Sequence, residues 1–285
     1  MLISERLEPL LEFPRLPRTV EARYSHGALS LRPFGLYESD LNVDFSHPLR
    51  PFLVTDILEC CTRNTQTDTV EQSFLWDLPI GKRIECLLTL LFWGAESEIS
   101  FAFHCPESGC GEESEVEISV AEIAARQAHA YETEHLLIQL GSGSLALRRP
   151  TASDQLAWFK AHFTDEAAAI NSMLRTLLVE DAPTVALDGD AFPRDWIQTV
   201  EQAMDEFDPL VKYSSLIKCC ACGATNPLEI DLEEFSLAQL REAQLRLLSS
   251  VHSLATHYHW SEQQIFSVPY WRRVGYLNLI EKENQ

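Results

Sequence analysis

With 43 acidic against 22 basic side chains, this 285-residue chain carries a formal charge of −21, which repels phosphate backbones and anionic lipid headgroups. That argues against nucleic-acid and peripheral membrane binding and favours solubility or a basic protein partner. Hydrophobic residues make up 46% and charged residues 23%, the proportions of an ordinary globular protein with ample core.

The opening residues, MLISERLEPLLEF, interrupt their apolar positions with charges and lack the continuous apolar run of a signal peptide. The longest apolar stretch, Cys86 to Ala95, is broken by Thr89 and is about half a membrane span. The expected compartment is therefore the cytoplasm. Thiols stay reduced there, so closely spaced cysteines among the eight point to metal or redox chemistry rather than a disulfide scaffold.

Taken in chain order, the first 20 residues read as a short helix and an extended lead-in. Val20 to Pro33, with Gly27 inside, alternates like a strand or hairpin. Pro48–Cys61 and Gly81–Trp93 have helical apolar spacing, the second opening just after Pro79. Ile99–Phe103 and Glu115–Val120 alternate as strands around a cysteine pair, and a helix from about Ala121 to Ala130 follows. His135–Leu140 and Leu145–Arg148 flank Gly141-Ser-Gly-Ser144, a hairpin signal without the Lys-Ser/Thr of a phosphate loop. Thr151 and Thr164 read as caps for helices over roughly 152–163 and 165–179. Asp181–Phe192 reads as a loop, and Pro193 opens another helix. Leu237–His257 is long and amphipathic. Ser261 to Gln264 is a capping box, and Pro269 opens a last helix reaching about Lys282.

An ordered internal match underlies this succession. Gly27-x-Leu29-x-Leu31-Arg32 recurs as Gly143-x-Leu145-x-Leu147-Arg148, Ser39-Asp40 as Ser153-Asp154, and Leu78-Pro79 as Phe192-Pro193. Cys105 to Cys110 recurs as Cys219 to Cys222, each pair ending in Cys-Gly and followed by a similar strand-like run, VEISVAEI or LEIDLEEF. The offsets are 116, 114, 114, 114 and 112 residues, the last shortening as the wider first knuckle requires. The chain thus reads as a duplicated α+β fold. The first copy with its lead-in spans 1–130, the second 131–236, and an added C-terminal helical module 237–285. Each copy carries a zinc-ribbon-like β-hairpin knuckle.

Cys105, Cys110, Cys219 and Cys222 are the candidate metal ligands, because four thiolates in a tetrahedron suit one structural zinc per chain. The glycine after each pair supplies the left-handed turn that a knuckle requires. Cys220 is then spare. Degenerate knuckles without metal, or a redox C-x-x-C at 219–222, are the alternatives. His104 abuts the first knuckle and could replace a ligand, though as a strand residue it is expected to face out. Cys60, Cys61 and Cys86 lie on apolar helical stretches and read as small core residues. His257-Tyr258-His259-Trp260 reads as a helix-end aromatic cluster rather than a metal site. Tyr270, Trp271, Arg272, Arg273 and Tyr276 form a compact basic-aromatic patch on an acidic chain. Of these, Tyr270, Trp271, Arg272 and Arg273, together with Trp260, are candidate partner-binding residues, since Trp, Tyr and Arg dominate interface hot spots; pairing with the acidic body is the other reading. No nucleophile elbow, H-E-x-x-H or nucleotide fingerprint is present, which points away from an enzyme.

From Leu145 to about Lys282, LALRRPTASDQLAWF followed by the cysteine knuckle and LEIDLEEF resembles the baseplate protein family of T-even-like phages. Members of that family are described as baseplate hub assembly chaperones of contractile tails and phage-tail-like injection systems. The ending HYHWSEQQIFSVPYWRRVGYLNLI is similar to tails of small proteins of the same systems, with H-W, I-x-x-x-P, an arginine cluster and Y-L. Here the arginine run is only Arg272 and Arg273, and the first knuckle is expanded. The resemblance implies a non-enzymatic assembly or structural role with baseplate or tail proteins as partners. A zinc-stabilised adaptor unrelated to tails is the alternative.

Overall fold

A computed structural model describes residues 10–24, 28–67, 69–92, 98–130, 133–140, 143–179 and 192–283. The chain begins with strand β1 (Leu11–Glu12), helix α1 (Arg18–Arg23) and strand β2 (Leu29–Leu31). The strand or hairpin expected over Val20–Pro33 is thus mostly a different structure: Val20 lies in α1, only three residues form β2, and Gly27 lies outside the described residues. Helix α1 follows Pro17 and receives its cap from far away, since the Glu134 carboxylate accepts from the Arg18 N–H at 2.6 Å and the Thr19 hydroxyl at 2.9 Å. Local sequence carries no trace of that cap.

A 3-10 turn (Glu38–Asn42) leads to α2 (Arg50–Cys61), β3 (Thr62–Asn64), α3 (Gln72–Asp77) and α4 (Ile80–Leu91). β4 (Glu98–His104) and β5 (Glu113–Ser119) form the first knuckle hairpin, and α5 (Val120–Ala130) follows directly. β6 (Leu136–Leu140) and β7 (Gly143–Leu147) form the expected hairpin, with Gly141 and Ser142 outside the described residues. α6 (Ala152–Lys160), α7 (Glu166–Leu177) and α8 (Arg194–Phe207) precede the second knuckle hairpin of β8 (Tyr213–Lys218) and β9 (Thr225–Ile230). The expected loop over Asp181–Phe192 lies outside the described residues except for Phe192. The chain ends with α9 (Leu232–Tyr258), α10 (Glu262–Ser267) and α11 (Tyr270–Glu283). The architecture is α+β with small antiparallel sheets, and no described helix is long and apolar enough to cross a membrane.

Contacts recur at positions matched along the sequence. Leu31 pairs with Thr62 across β2 and β3, and Leu147 bridges Leu178 at the end of α7. The Arg32 N–H donates to the Cys61 carbonyl at 2.8 Å, and the Arg148 N–H to Leu177 at 2.9 Å. Arg32 meets Asp40 at 2.6 Å, and Arg148 meets Asp154 at 2.6 Å. Both aspartates are third residues of a helical turn whose capping backbone they also accept from, Tyr37 in one case and Thr151 in the other. Pro79 and Pro193 each precede the first residue of a helix in the same extended conformation.

The two halves share their interior. One core packs α2, α3 and α4 with β2, and includes Leu237 and Leu240 from α9. A second mixes Ile84, Ile99, Ile118 and Ile123 with Leu210, Tyr213, Ile230 and Leu232. A third, with Leu145, Leu147, Leu174, Leu177 and Val200, belongs to the second half alone. Each fully buried leucine or isoleucine contributes about 1.5–3 kcal/mol, so the mixed core binds the halves firmly before any metal is considered. Helix α9 runs unbroken through 236–237, capped by the Asp231 carboxylate accepting from the Glu234 N–H.

Candidate metal centre

The site forms where the two knuckle hairpins meet. In each, the first cysteine's N–H returns to a carbonyl two residues beyond the second cysteine: Cys105 to Glu112 and Cys219 to Ala224, both at 2.9 Å. Gly111 and Gly223 take left-handed conformations, with φ of 62° and 76°, where an L side chain would be strained. These turns aim both sulfurs of each pair out of the hairpin end.

The sequence-predicted set comes together completely. The ligand atoms of Cys105, Cys110, Cys219 and Cys222 all lie within 4.8 Å of one another. The Cys105–Cys222 and Cys110–Cys219 sulfur separations, both across the two halves, are 3.7 Å. A tetrahedral ion with metal–sulfur bonds of about 2.3 Å needs sulfurs about 3.8 Å apart, so the cluster has the dimensions to hold one. Cys105 and Cys219 are buried against Phe103, with Val116, Ile217 and Leu228 packed around them. Cys222 is exposed and Cys110 half-buried. Cys220 is exposed and stands outside the cluster.

Backbone dipoles favour thiolate at several corners. The N–H groups of Cys222 and Ala221 lower the Cys219 thiol to about 7. At Cys105 the Glu107 N–H acts in the same direction, but burial and the neighbouring sulfurs push the thiol up to about 12. Cys110 is likewise raised, the Glu112 N–H being outweighed by burial and by Cys222 and Cys219. A cation that replaces the shared protons relieves this crowding of sulfurs. Buried Asn226 places Nδ2 4.0 Å from the Cys105 sulfur, a supporting group that no spacing rule in the sequence identifies.

The remaining candidates disperse. His104 faces solvent and pairs with Glu113 at 3.5 Å. Cys61 and Cys86 are fully buried, while Cys60 accepts from Arg32 at 3.0 Å beside Asp40. His259 terminates α9 in a left-handed conformation, His257 pairs with Glu283 at 3.3 Å, and Tyr258, Trp260 and Tyr276 form an aromatic cluster. The five partner-binding candidates divide. Trp260 is half-buried in that cluster, whereas Tyr270 and Trp271 are exposed. Arg272 is exposed and donates to the Tyr276 hydroxyl. Arg273 is buried, donating to the Leu36 carbonyl at 2.6 Å and lying over the Phe266 ring. Comparison with family models, curated proteins and solved structures found no match to the chain.

Proposed function

We propose that this protein is a non-enzymatic assembly factor or structural component for the baseplate of a contractile phage tail or phage-tail-like injection system, held together by one structural zinc. The observation that carries the zinc is the four-sulfur cluster, closed by ligands from hairpins more than a hundred residues apart. Thiolates select zinc over hard cations, and four of them leave no coordination position for a substrate. The matched Arg–Asp pairs, strand bridges and knuckle turns support a duplication in which each copy supplies half of the centre.

The tail assignment rests on the sequence resemblance running from Leu145 to about Lys282. The C-terminal module is the docking element in this reading, with Tyr270, Trp271 and Arg272 outward and Trp260 and Arg273 holding the module in shape. Two measurements test it. Elemental analysis of protein purified without added metal should return about one zinc per chain. Mass spectrometry of purified tail particles and their assembly intermediates should find the protein with baseplate components. Zinc-loaded protein that never accompanies tail proteins would favour an adaptor in another system, and an absence of metal would sink the zinc reading.

A further inference from the structure

Helix α11 contains a glycine that its own chain does not require. Gly275 lies mid-helix in Tyr270–Glu283, where glycine is among the least favourable residues. It is exposed, and a Cβ added there would meet no heavy atom of the described residues within 4 Å. Neither internal packing nor a left-handed turn explains it. One turn to either side stand Trp271, 62% exposed, and Leu279, 51% exposed. At about 100° per residue, both lie within about 40° of Gly275 around the helix. The three residues therefore make a notch, floored by backbone and walled by two large apolar side chains.

The charge of this face differs from that of the whole chain. Within about 60° of Gly275 the other residues between Tyr270 and Glu283 are Arg272, Asn278 and Lys282, all exposed. Two cations and no carboxylate occupy this sector of α11, on a chain whose net charge is −21. Arg272 is steadied by the Tyr276 hydroxyl at 3.1 Å. Antiparallel pairing with a second copy about Gly275 would bring Lys282 of one chain within about one turn of Arg272 of the other. Like charges would then meet, which disfavours self-association.

We infer that the Trp271–Gly275–Leu279 face seats a partner helix that inserts a bulky apolar side chain into the notch and flanks it with carboxylates. This rests on the docking role proposed for the C-terminal module, narrows it to one face of α11, and adds Gly275, Leu279 and Lys282 to it. The partner's backbone can approach closely only because position 275 lacks a side chain, and Arg272 and Lys282 select its charge.

The test uses the full chain and two labelled synthetic helical peptides with identical apolar faces, one flanked by glutamates and the other by lysines. Fluorescence anisotropy should show binding of the glutamate peptide and at least tenfold weaker binding of the lysine peptide. Gly275→Leu and Trp271→Ala should each weaken the glutamate peptide at least tenfold. The double change Arg272→Glu, Lys282→Glu should reverse the preference. Gly275→Leu should leave the melting temperature unchanged or raised, so that lost binding reports the filled notch. Failure of the glutamate peptide to bind, equal binding of the two peptides, or unaltered binding by Gly275→Leu overturns the inference. Sedimentation showing a dimer that Gly275→Leu dissociates also overturns it, assigning the face to self-association. The tail assignment stands or falls separately, on whether the protein accompanies tail components.

Discussion

Asp208 closes directly over Gly81. Its Oδ2 accepts the Gly81 N–H at 3.3 Å, and a Cβ added at position 81 would lie 1.8 Å from Oδ1. The contact joins the end of α8 to the first turn of α4, and so one half of the chain to the other. Both residues are buried, leaving little room for relief. Gly81→Ala should therefore destabilise the protein by about 3 kcal/mol, as overpacking of a filled interior does. Urea denaturation should show a lowered midpoint, and a wild-type midpoint would mean that Asp208 can swing aside.

The same carboxylate makes stability depend on pH. Burial raises Asp208 to about 6, despite the opposing influence of Arg149, the Gly81 N–H, Lys82 and Gln127. A carboxyl whose folded pKa lies above its unfolded value binds its proton more tightly when folded. Its protonation therefore stabilises fully below the ordinary carboxylate range, and that contribution is lost as pH rises through about 6. Asp208→Asn should melt higher than wild type at pH 7.5, with the difference shrinking toward zero near pH 4. Asp154 and Asp231, both held below their ordinary values, act in the opposite direction in each protein, so the difference between variant and wild type isolates Asp208. A difference that stays constant across this range would refute the assignment.

The two Arg–Asp pairs should differ in consequence although they match in position. The side chains of Arg32 and Asp40 are 4% and 0% exposed, while those of Arg148 and Asp154 are 36% and 10% exposed. Asp40 also accepts the Gly35, Leu36 and Tyr37 N–H groups. Removing one partner of a buried pair strands a charge and costs about 3–5 kcal/mol, whereas water can solvate a half-exposed arginine. Asp40→Asn should cost several-fold more stability than Asp154→Asn, measured by chemical denaturation of both. Equal losses would count against burial as the deciding factor.

What the sequence disclosed followed the range of the interactions. Helices α2, α4, α8 and α10 were legible because proline, apolar spacing or a local capping box marks them, and the cysteine cluster because glycine follows each pair. Helix α1 was hidden, since its cap comes from Glu134 more than a hundred residues away. The start of α9 was also hidden. The run LEIDLEEF resembles VEISVAEI and reads as strand, yet Asp231 caps a helix there and only Leu228–Ile230 remain in β9. For Arg273 the sequence leaves partner contact and pairing with the acidic body both open, because its partner, the Leu36 carbonyl, lies in another part of the chain.

Replacing cysteines one at a time should separate ligands from bystanders. Cys220 and Cys222 are both exposed, so serine at either position loses little packing. Cys222→Ser should nevertheless release the metal and lower the melting temperature, because ligand loss removes metal-linked folding energy. Cys220→Ser should retain about one zinc per chain and melt like wild type. A chelator should reproduce the Cys222→Ser melting curve in wild type. Identical zinc content and melting in the two variants would rule out the proposed ligand set.

Within the C-terminal module, Trp271 and Arg273 should separate stability from docking. Arg273 is buried between Phe266 and the Leu36 carbonyl, tying α11 to the turn before the 3-10 segment. Arg273→Ala removes a charge-assisted hydrogen bond and a ring contact together, and should cost about 2–3 kcal/mol. Trp271 is mostly exposed, and Trp271→Ala should change stability by less than about 0.5 kcal/mol. Hydrogen exchange offers the sharper readout. Arg273→Ala should increase amide exchange along α11 and in Leu36–Tyr37, while Trp271→Ala should leave both segments as in wild type. Faster exchange in the Trp271 variant would show that its ring supports the module, and would remove it from the docking face.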